Sequence, residues 1–587
     1  MTGRAFLLDS HCVSIAKDSE LTFVLNSWES GSSSTISLPR VVDENAEAIQ
    51  TEITEWISEL KSSLYQEIRG NLSGQTPEFS EFNPCFEGNY ATTPEYYTLA
   101  QLMALSSALT ANGVSELTYV GRDQQVSDCL SGWCDKRGVI YSQRITILQS
   151  THRFHDDLSS LRRLLRVVLI GLWNLGRVPA LPTNTSVVLW DYLVANPLRA
   201  YWGSLLSVIP SPTRTLCIHM FTAHDAVPTI RTAFRHMRRM RTEEPSVAHV
   251  LPEELIKLRD LKRICRHYKT LGDIHRQFVS VVEPQLPNIR DLQPSLLLGL
   301  RIKSGWRGSA ALETATQLVL FERLSHVLAP HSRVFYLQEN HTWEKIALYN
   351  FSNKVHRMTG VTHTVVRPLD LRYRIIASDF SDENRINRLN PHAIATNGES
   401  SWAPLAKIMD NSFLHKVEAL RYEYLLMLNR NEVSDPPLVL VFGDLQPRHT
   451  AFLLRTIAQP LRSANVQVIF KPHPADHGSA ALAQKYGLRI SNEPLGASLK
   501  KASLVVAGSI TAASTEAAQL HLPVITVVDP GYFNLSPLRA TNSSLFVFTS
   551  QEVSLALGVA LNGFVSNKPN YLCLDPSLPR WKALLVE

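Results

Sequence analysis

The stretch from Pro436 to Val528 constrains the fold most, because continuous apolar runs alternate there with amphipathic ones. Leu438-Val439-Leu440-Val441-Phe442, Val466-Gln467-Val468-Ile469-Phe470, Leu504-Val505-Val506-Ala507 and Val524-Ile525-Thr526-Val527-Val528 read as strands. Between them the spacing predicts helices over about His449–Ala464, Ala480–Tyr486, Leu495–Ala502 and Thr511–Leu520. Strands that are apolar on both faces and separated by helices belong to a parallel sheet covered on both sides. The expectation is an α/β, Rossmann-like domain over residues 396–587.

Ligands of open α/β sheets bind beyond the carboxyl ends of the strands. Three groups of residues fall there: Gly443-Asp444, Lys471-Pro472-His473-Pro474 and Gly508-Ser509-Ile510-Thr511. The two prolines disfavour helix, so Lys471 and His473 leave their strand in a stiff, extended conformation. An ammonium and a ring N–H at that point suit phosphate oxygens. Ser509, Thr511 and Ser514 open a helix whose free N–H groups favour an anion. Glu516, one turn further on, either binds ribose hydroxyls or serves the helix dipole.

A chain of 587 residues exceeds what one core usually holds, so more than one domain is expected. With 44% hydrophobic and 19% charged residues it is a folded chain. A formal charge of +5 is small at this length and argues only weakly for an anionic partner; no nucleic acid is expected. The seven cysteines lack CxxC spacing, which argues against a disulfide framework or a zinc site and for a reducing setting. The N-terminus lacks a basic region followed by an apolar one, and the longest apolar run, Val167 to Trp173, is far shorter than the ~20 residues of a membrane span. The cytoplasm is therefore the expected location.

The first half reads less clearly. Thr98–Asn112 has a helical pattern, and 117–120, 186–190, 215–218 and 334–337 read as strands of another sheet. Gly70–Asn89 reads as a linker or long surface loop. Ile230 to Phe278 is helical and cation-rich, with Arg231, Arg235, Arg238, Arg239 and Arg241 on one broad face. That face is either simply solvated or a patch for anionic lipid headgroups or a charged glycan, with Leu164–Trp173 dipping into a membrane surface.

Two clusters in this half can carry chemistry. Glu339 and Glu344 follow a strand end, where one carboxylate can act as base or nucleophile and the other as orienter, or both can favour a helix start. Trp343 between them offers an apolar wall. His363, followed by Arg367, Asp370, Arg372 and Tyr373, is a candidate general acid or donor contact, or a core histidine.

The Lys-Pro-His-Pro segment with the later Gly-Ser-x-Thr resembles bacterial GT-B glycosyltransferases that use CMP-activated acidic sugars, the sialyl-, polysialyl- and Kdo-transferases. Glu339-Asn340-x-x-Trp343-Glu344, His363-Thr364 and Asp370-Leu371-Arg372-Tyr373 resemble a surface-carbohydrate (O-antigen type) biosynthesis family, over roughly residues 180 to 530. The resemblance implies two Rossmann-like domains facing a cleft. Residues 1–395 would form the acceptor side, with a helical basic insertion at about 230–280, and residues 396–587 the nucleotide-sugar side. It implies that His473, beside Lys471 and Pro474, contacts the CMP phosphate, and that Ser509 and Thr511 hold phosphate or the donor carboxylate. Glu516 would meet the ribose. The expected partners are a nucleotide-sugar and a glycan acceptor, without metal or other cofactor, and with contact at the inner-membrane surface as an option.

The Asp/Glu-Asp/Glu-Gly motif of sialyltransferases is absent, so Glu339 and Glu344 stand in as candidates. One would either deprotonate the acceptor or attack the sugar itself. A UDP-sugar or CDP-alcohol donor, an epimerase, or a non-catalytic nucleotide- or glycan-binding protein are the alternatives. A hinge is expected near Asn397-Gly398.

Overall fold

The structure is a computed structural model. It describes residues 3–9, 21–28, 34–71, 77–144, 153–176, 181, 185–210, 214–352, 356–381, 389–428, 434–474, 476, 478–539, 541–564 and 570–586. These form three sheets of five, seven and six strands. Every strand pair in them is parallel. Counted by order of appearance within each sheet, the strands lie 3-2-1-4-5, 3-2-1-4-5-6-7 and 3-2-1-4-5-6. Each sheet therefore has a Rossmann-like switch point between its first and fourth strands, where neighbouring connections leave in opposite directions and open a crevice.

The third sheet matches the expectation closely. Its strands Leu438–Phe442, Gln467–Lys471, Leu504–Gly508 and Val524–Val527 alternate with helices Pro447–Ser463, Ser479–Lys485, Leu495–Lys501 and Ala513–Gln519. The central strands are buried along their length, which is why their sequence is continuously apolar. The first half holds two sheets rather than one. Glu116–Val120 pairs with Arg4–Leu8 in the first, whereas Val187–Tyr192, Thr215–Met220 and Arg333–Leu337 lie together in the second.

Three sequence expectations change. The cation-rich region is part of the second sheet's winding: helix Ile230–Glu243 crosses from Thr215–Met220 to the edge strand Ala248–Val250. Its Ala233, Phe234, Met237 and Met240 are buried and Arg231, Arg235, Arg238 and Arg239 are exposed, whereas Arg241 turns inward to Glu254 and the His249 carbonyl. The division between the last two sheets falls after Leu428, not at 396, because Ala393–Thr396 and Leu414–Lys416 are still strands of the second sheet. Within Gly70–Asn89, 3₁₀ turns at Pro77–Glu81 and Pro84–Glu87 bury Phe79, Phe82 and Phe86, so the described part is packed.

The chain also returns. Ser400 N–H donates to Tyr571 O, Cys573 N–H to Asn397 O and Ala419 N–H to Cys573 O. The helix Pro579–Val586 then packs Trp581 on Phe335 of the second sheet, with ring centroids 5.7 Å apart. The expected hinge at Asn397-Gly398 is thus a crossing of two segments. Gly398 sits at φ 138°, and a Cβ there would lie 2.7 Å from Cys573 N. Across the molecule, Arg367 donates through Nε and Nη2 to the Ile510 carbonyl at 3.1 and 2.7 Å. That contact sets the carboxyl ends of the second and third sheets opposite each other, a GT-B-like arrangement of two Rossmann-like sheets around a cleft.

Candidate functional site

On the third-sheet wall, Gly443 and Asp444 end the first strand and Gly508 and Ser509 the fourth, so they flank the switch point. A Cβ on Gly443 would lie 3.1 Å from His473 N and 3.0 Å from the Phe470 ring, so the strand end passes directly beneath the Lys-Pro-His-Pro turn. Asp444 is buried; Oδ1 accepts from Leu445 N–H at 2.7 Å, while Oδ2 has no partner among the described residues. Burial raises its pKa against the pull of His449, Arg367 and His473. His449, which sequence reasoning did not single out, bonds Asp529 through Nδ1 at 2.7 Å and leaves buried Nε2 unpartnered. Two orphaned polar atoms at one switch point fit a crevice built for a polar ligand, since buried polar groups are normally satisfied.

His473 is half-buried, and burial lowers its pKa, so the ring is neutral near pH 7. Lys471 does not share the crevice with it: its ammonium is committed to the Glu493 carbonyl. Pro474 closes the described part of the turn. Ser509 is buried, Thr511 Oγ1 accepts from Ala513 N–H at 3.4 Å, and Ser514 Oγ donates to Thr511 O at 2.9 Å. The Thr511 and Ser514 groups thus shape the turn before the short helix. Glu516 accepts from Tyr424 OH, and burial raises its pKa to about 7 despite that bond and the nearby Arg421.

On the second-sheet wall, the ring of His341 lies between two carboxylates, Nδ1 3.0 Å from Glu87 Oε2 and Nε2 3.1 Å from Glu339 Oε2. Burial would lower the His341 pKa, but the two carboxylates raise it to about 10, so it is an imidazolium. Burial would raise Glu339, yet its bond to His341 and the charges of His341 and Arg372 hold it well below the usual carboxylate range. His363 is buried, with Nε2 3.6 Å from Glu339 Oε1 and Nδ1 unpartnered among the described residues. Burial, aided by Arg421 and Arg372, lowers its pKa to about 4, leaving a neutral imidazole. The Tyr201 ring stands edge-on to it at 5.6 Å, and the adjoining Trp202 is fixed by donating Nε1–H to Asp191 Oδ2 at 2.8 Å.

Glu344 does not face the cleft. Its carboxylate accepts the backbone N–H groups of Glu339, Asn340 and His341 at 2.9, 3.0 and 3.1 Å. It holds the turn in which Asn340 adopts φ 61°, and so positions Glu339 and His341. Glu87 was missed because it ends a stretch with turn-like composition; besides His341 it accepts Thr342 N–H and Oγ1–H, each at 2.8 Å.

The floor is the connection between the two sheets. The 3₁₀ segment Leu420–Met427 ties Glu423 to Ser204 on the second-sheet side, Oγ to Oε1 at 2.7 Å, and Tyr424 to Glu516 on the third-sheet side. Two residues before the first of these anchors, Arg421 is exposed and without a hydrogen bond or ion pair among the described residues. Burial of its stem lowers its pKa, but the Tyr422, Glu516, Tyr201 and Glu339 groups around it raise it overall, so the guanidinium is charged. Its charge lowers the pKa of His363 on one wall and of His473 and Glu516 on the other, and Glu339 and Glu516 raise its own in turn. No motif marks Arg421 in the sequence.

No protein-family model and no curated protein matches the sequence. Among solved structures, the chain is similar to a UDP-N-acetylglucosamine 2-epimerase from Rickettsia bellii, at 11% identity and a TM-score of 0.40, covering 68% of this chain and 95% of that one. It is also similar to MurG from Acinetobacter baumannii, at 10% identity and 0.34 over 64% and 91%. The spinosyn forosaminyltransferase SpnP overlaps at 11% and 0.34 over 68% and 93%. At that level no residue of those proteins has a fixed counterpart here.

Proposed function

We propose that the chain is a glycosyltransferase that moves a sugar from a nucleotide-activated donor to a glycan hydroxyl, in the cleft between the second and third sheets. The observation that carries this reading is Arg421, an exposed cation on the segment joining the two walls, without a bond to any described residue, whose charge acts on an imidazole of each wall. The donor's nucleotide would lie along the third-sheet switch point, with Asp444 Oδ2 and His449 Nε2 available for its polar groups. Its phosphate would meet Arg421 and a His473 N–H, which together stabilise the charge of the departing group. On the other wall, His363 Nδ1 would take the proton of the acceptor hydroxyl while Glu339 orients the ring and balances the new imidazolium. The acceptor oxygen then bonds to the anomeric carbon as the carbon–oxygen bond to phosphate breaks, which inverts that centre.

The finer donor class we favour is a CMP-linked acidic sugar such as Kdo or a sialic-acid-like nonulosonate, and the acceptor a surface polysaccharide or lipid-linked glycan. The support is the resemblance of the Lys471–Pro474 and Gly508–Thr511 segments together with Arg421, which can receive a carboxylate as readily as a phosphate. The test is release of free nucleotide from CMP-sialic acid, CMP-Kdo and UDP-N-acetylglucosamine, followed by mass spectrometry with wild-type protein and His363→Ala. CMP release that falls at least a hundredfold in the variant supports the full reading. UDP release alone keeps the transferase and rejects the donor class, and no release from any donor rejects both.

A further inference from the structure

The helix Arg153–Trp173 is packed in an unusual sense. Several of its polar groups bond back to the protein: Arg163 pairs with Glu313, Arg166 lies 5.0 Å above the Phe221 ring, and Asn174, just past its end, donates Nδ2–H to Glu253 O and Ile256 O at 2.9 and 3.1 Å. Val167 and Ile170 are buried, and Gly171 allows close contact, since a Cβ there would lie 3.1 Å from Leu258 Cδ2. The outward face is apolar. Leu161, Leu165, Leu169 and Leu172, with Leu175 just beyond, are between 46 and 64% exposed. Their i, i+4, i+8, i+11 spacing aligns them in one stripe roughly 16 Å long. Single exposed leucines are ordinary, but a continuous apolar stripe marks an interaction surface.

Beside this stripe lies the arginine face of helix Ile230–Glu243, the two joined where Trp173 stacks on Phe234 with ring planes 7° apart. Arg231, Arg235 and Arg238 are exposed and have no acidic partner among the described residues, and Arg162 on the leucine helix has none either. Neither Ser159–Gly176 nor Ile230–Thr242 contains an Asp or Glu. Apolar side chains flanked by unneutralised arginines match a lipid interface, where leucines enter the acyl boundary and guanidinium groups meet anionic headgroups. A second copy fits poorly, because a twofold contact through this face would set arginine against arginine. Phe221 follows the carboxyl end of Thr215–Met220, so the patch lies on the same edge of the second sheet as the cleft.

We propose that the leucine stripe of Arg153–Trp173 and the arginine face of Ile230–Glu243 together dock the protein on an anionic lipid surface. The docking is independent of the donor chemistry, although it would bring the cleft to a lipid-linked acceptor. The test is cosedimentation of the full chain with phosphatidylcholine vesicles, with and without one quarter phosphatidylglycerol, at low and high salt. Wild-type protein should bind the anionic vesicles preferentially, and salt should weaken that binding by screening. Leu165→Glu/Leu169→Glu should bind at least about tenfold more weakly, and Arg231→Gln/Arg235→Gln/Arg238→Gln should lose the anionic preference. Both variants alter only exposed side chains, so their melting temperatures should match the wild type. Absence of wild-type binding, equal binding to neutral and anionic vesicles, or unchanged binding by the leucine variant overturns the proposal. So does a wild-type dimer that does not bind vesicles and that the leucine variant dissociates.

Discussion

His341 shows how single residues acquire roles that composition cannot assign. Held between Glu87 and Glu339, it keeps its proton, and its pKa in the fold stands above the ordinary 6.5. The stabilisation from that pairing is complete below about pH 6.5 and is lost as pH rises through about 10. The expected outcome is an alkaline fall in melting temperature that His341→Gln flattens, at a cost near neutrality of about 3 kcal/mol because two carboxylates lose their partner. Glu87 has the opposite sign: its pKa is lowered from 4.5, so its contribution is lost as pH falls below that value. For His363, whose pKa is about 4, the acidic limb of kcat/KM should lie near pH 4 rather than 6.5. His363→Ala should lower kcat roughly a hundred- to ten-thousandfold, as measured by nucleotide release. In the sequence, Glu339 and Glu344 looked alike because an acid after a strand suits both catalysis and helix capping. Only the three backbone N–H groups on Glu344 separate them.

At the scale of elements, the central strands Leu438–Phe442, Leu504–Gly508 and Val524–Val527 were readable nearly to the residue because both of their faces are buried, whereas the short strands Arg489–Ile490 and Leu545–Val547 were not readable at all. The same clarity does not extend to connections. Leu420–Met427 is a 3₁₀ segment without helical or strand periodicity, so neither its place on the cleft floor nor Arg421 was visible. Glu87 was hidden for the related reason that its stretch carries turn residues around buried aromatics. The crossing at Gly398 is another such connection. Its φ of 138° and the backbone of Leu572 and Cys573, 2.8 and 2.7 Å from a Cβ position, leave no room for alanine. Gly398→Ala should destabilise the protein by about 2 to 4 kcal/mol in denaturant unfolding, although no catalytic group is touched.

At the scale of the whole molecule, the three sheets are tied at several corners. The loop after Val527 binds the first domain through Trp28 Nε1–H to Val528 O, Tyr97 OH to Pro530 O and Tyr532 OH to Tyr90 O, at 2.8, 2.9 and 3.1 Å. The C-terminal helix is tied to the second sheet, where buried Trp581 donates Nε1–H to Glu418 O at 2.8 Å. Trp581→Ala should cost about 3 to 5 kcal/mol by calorimetric melting, although the residue lies at the far end of the chain from the strands it supports. Such returns of the chain have no periodic signature, so the sequence suggested two halves divided at 395 where the structure interleaves them. The cleft between the second and third sheets, with Arg421 on its floor, remains the feature on which the functional account turns. The most direct measurement is a calorimetric titration of CMP, CDP and UDP into wild-type, Arg421→Ala and His473→Ala protein. The account predicts that the wild type binds one of these nucleotides, CMP first among them, and that each substitution weakens binding by roughly ten- to a hundredfold through loss of a phosphate contact. Nucleotide bound equally well by all three proteins, or by none of them, would contradict it.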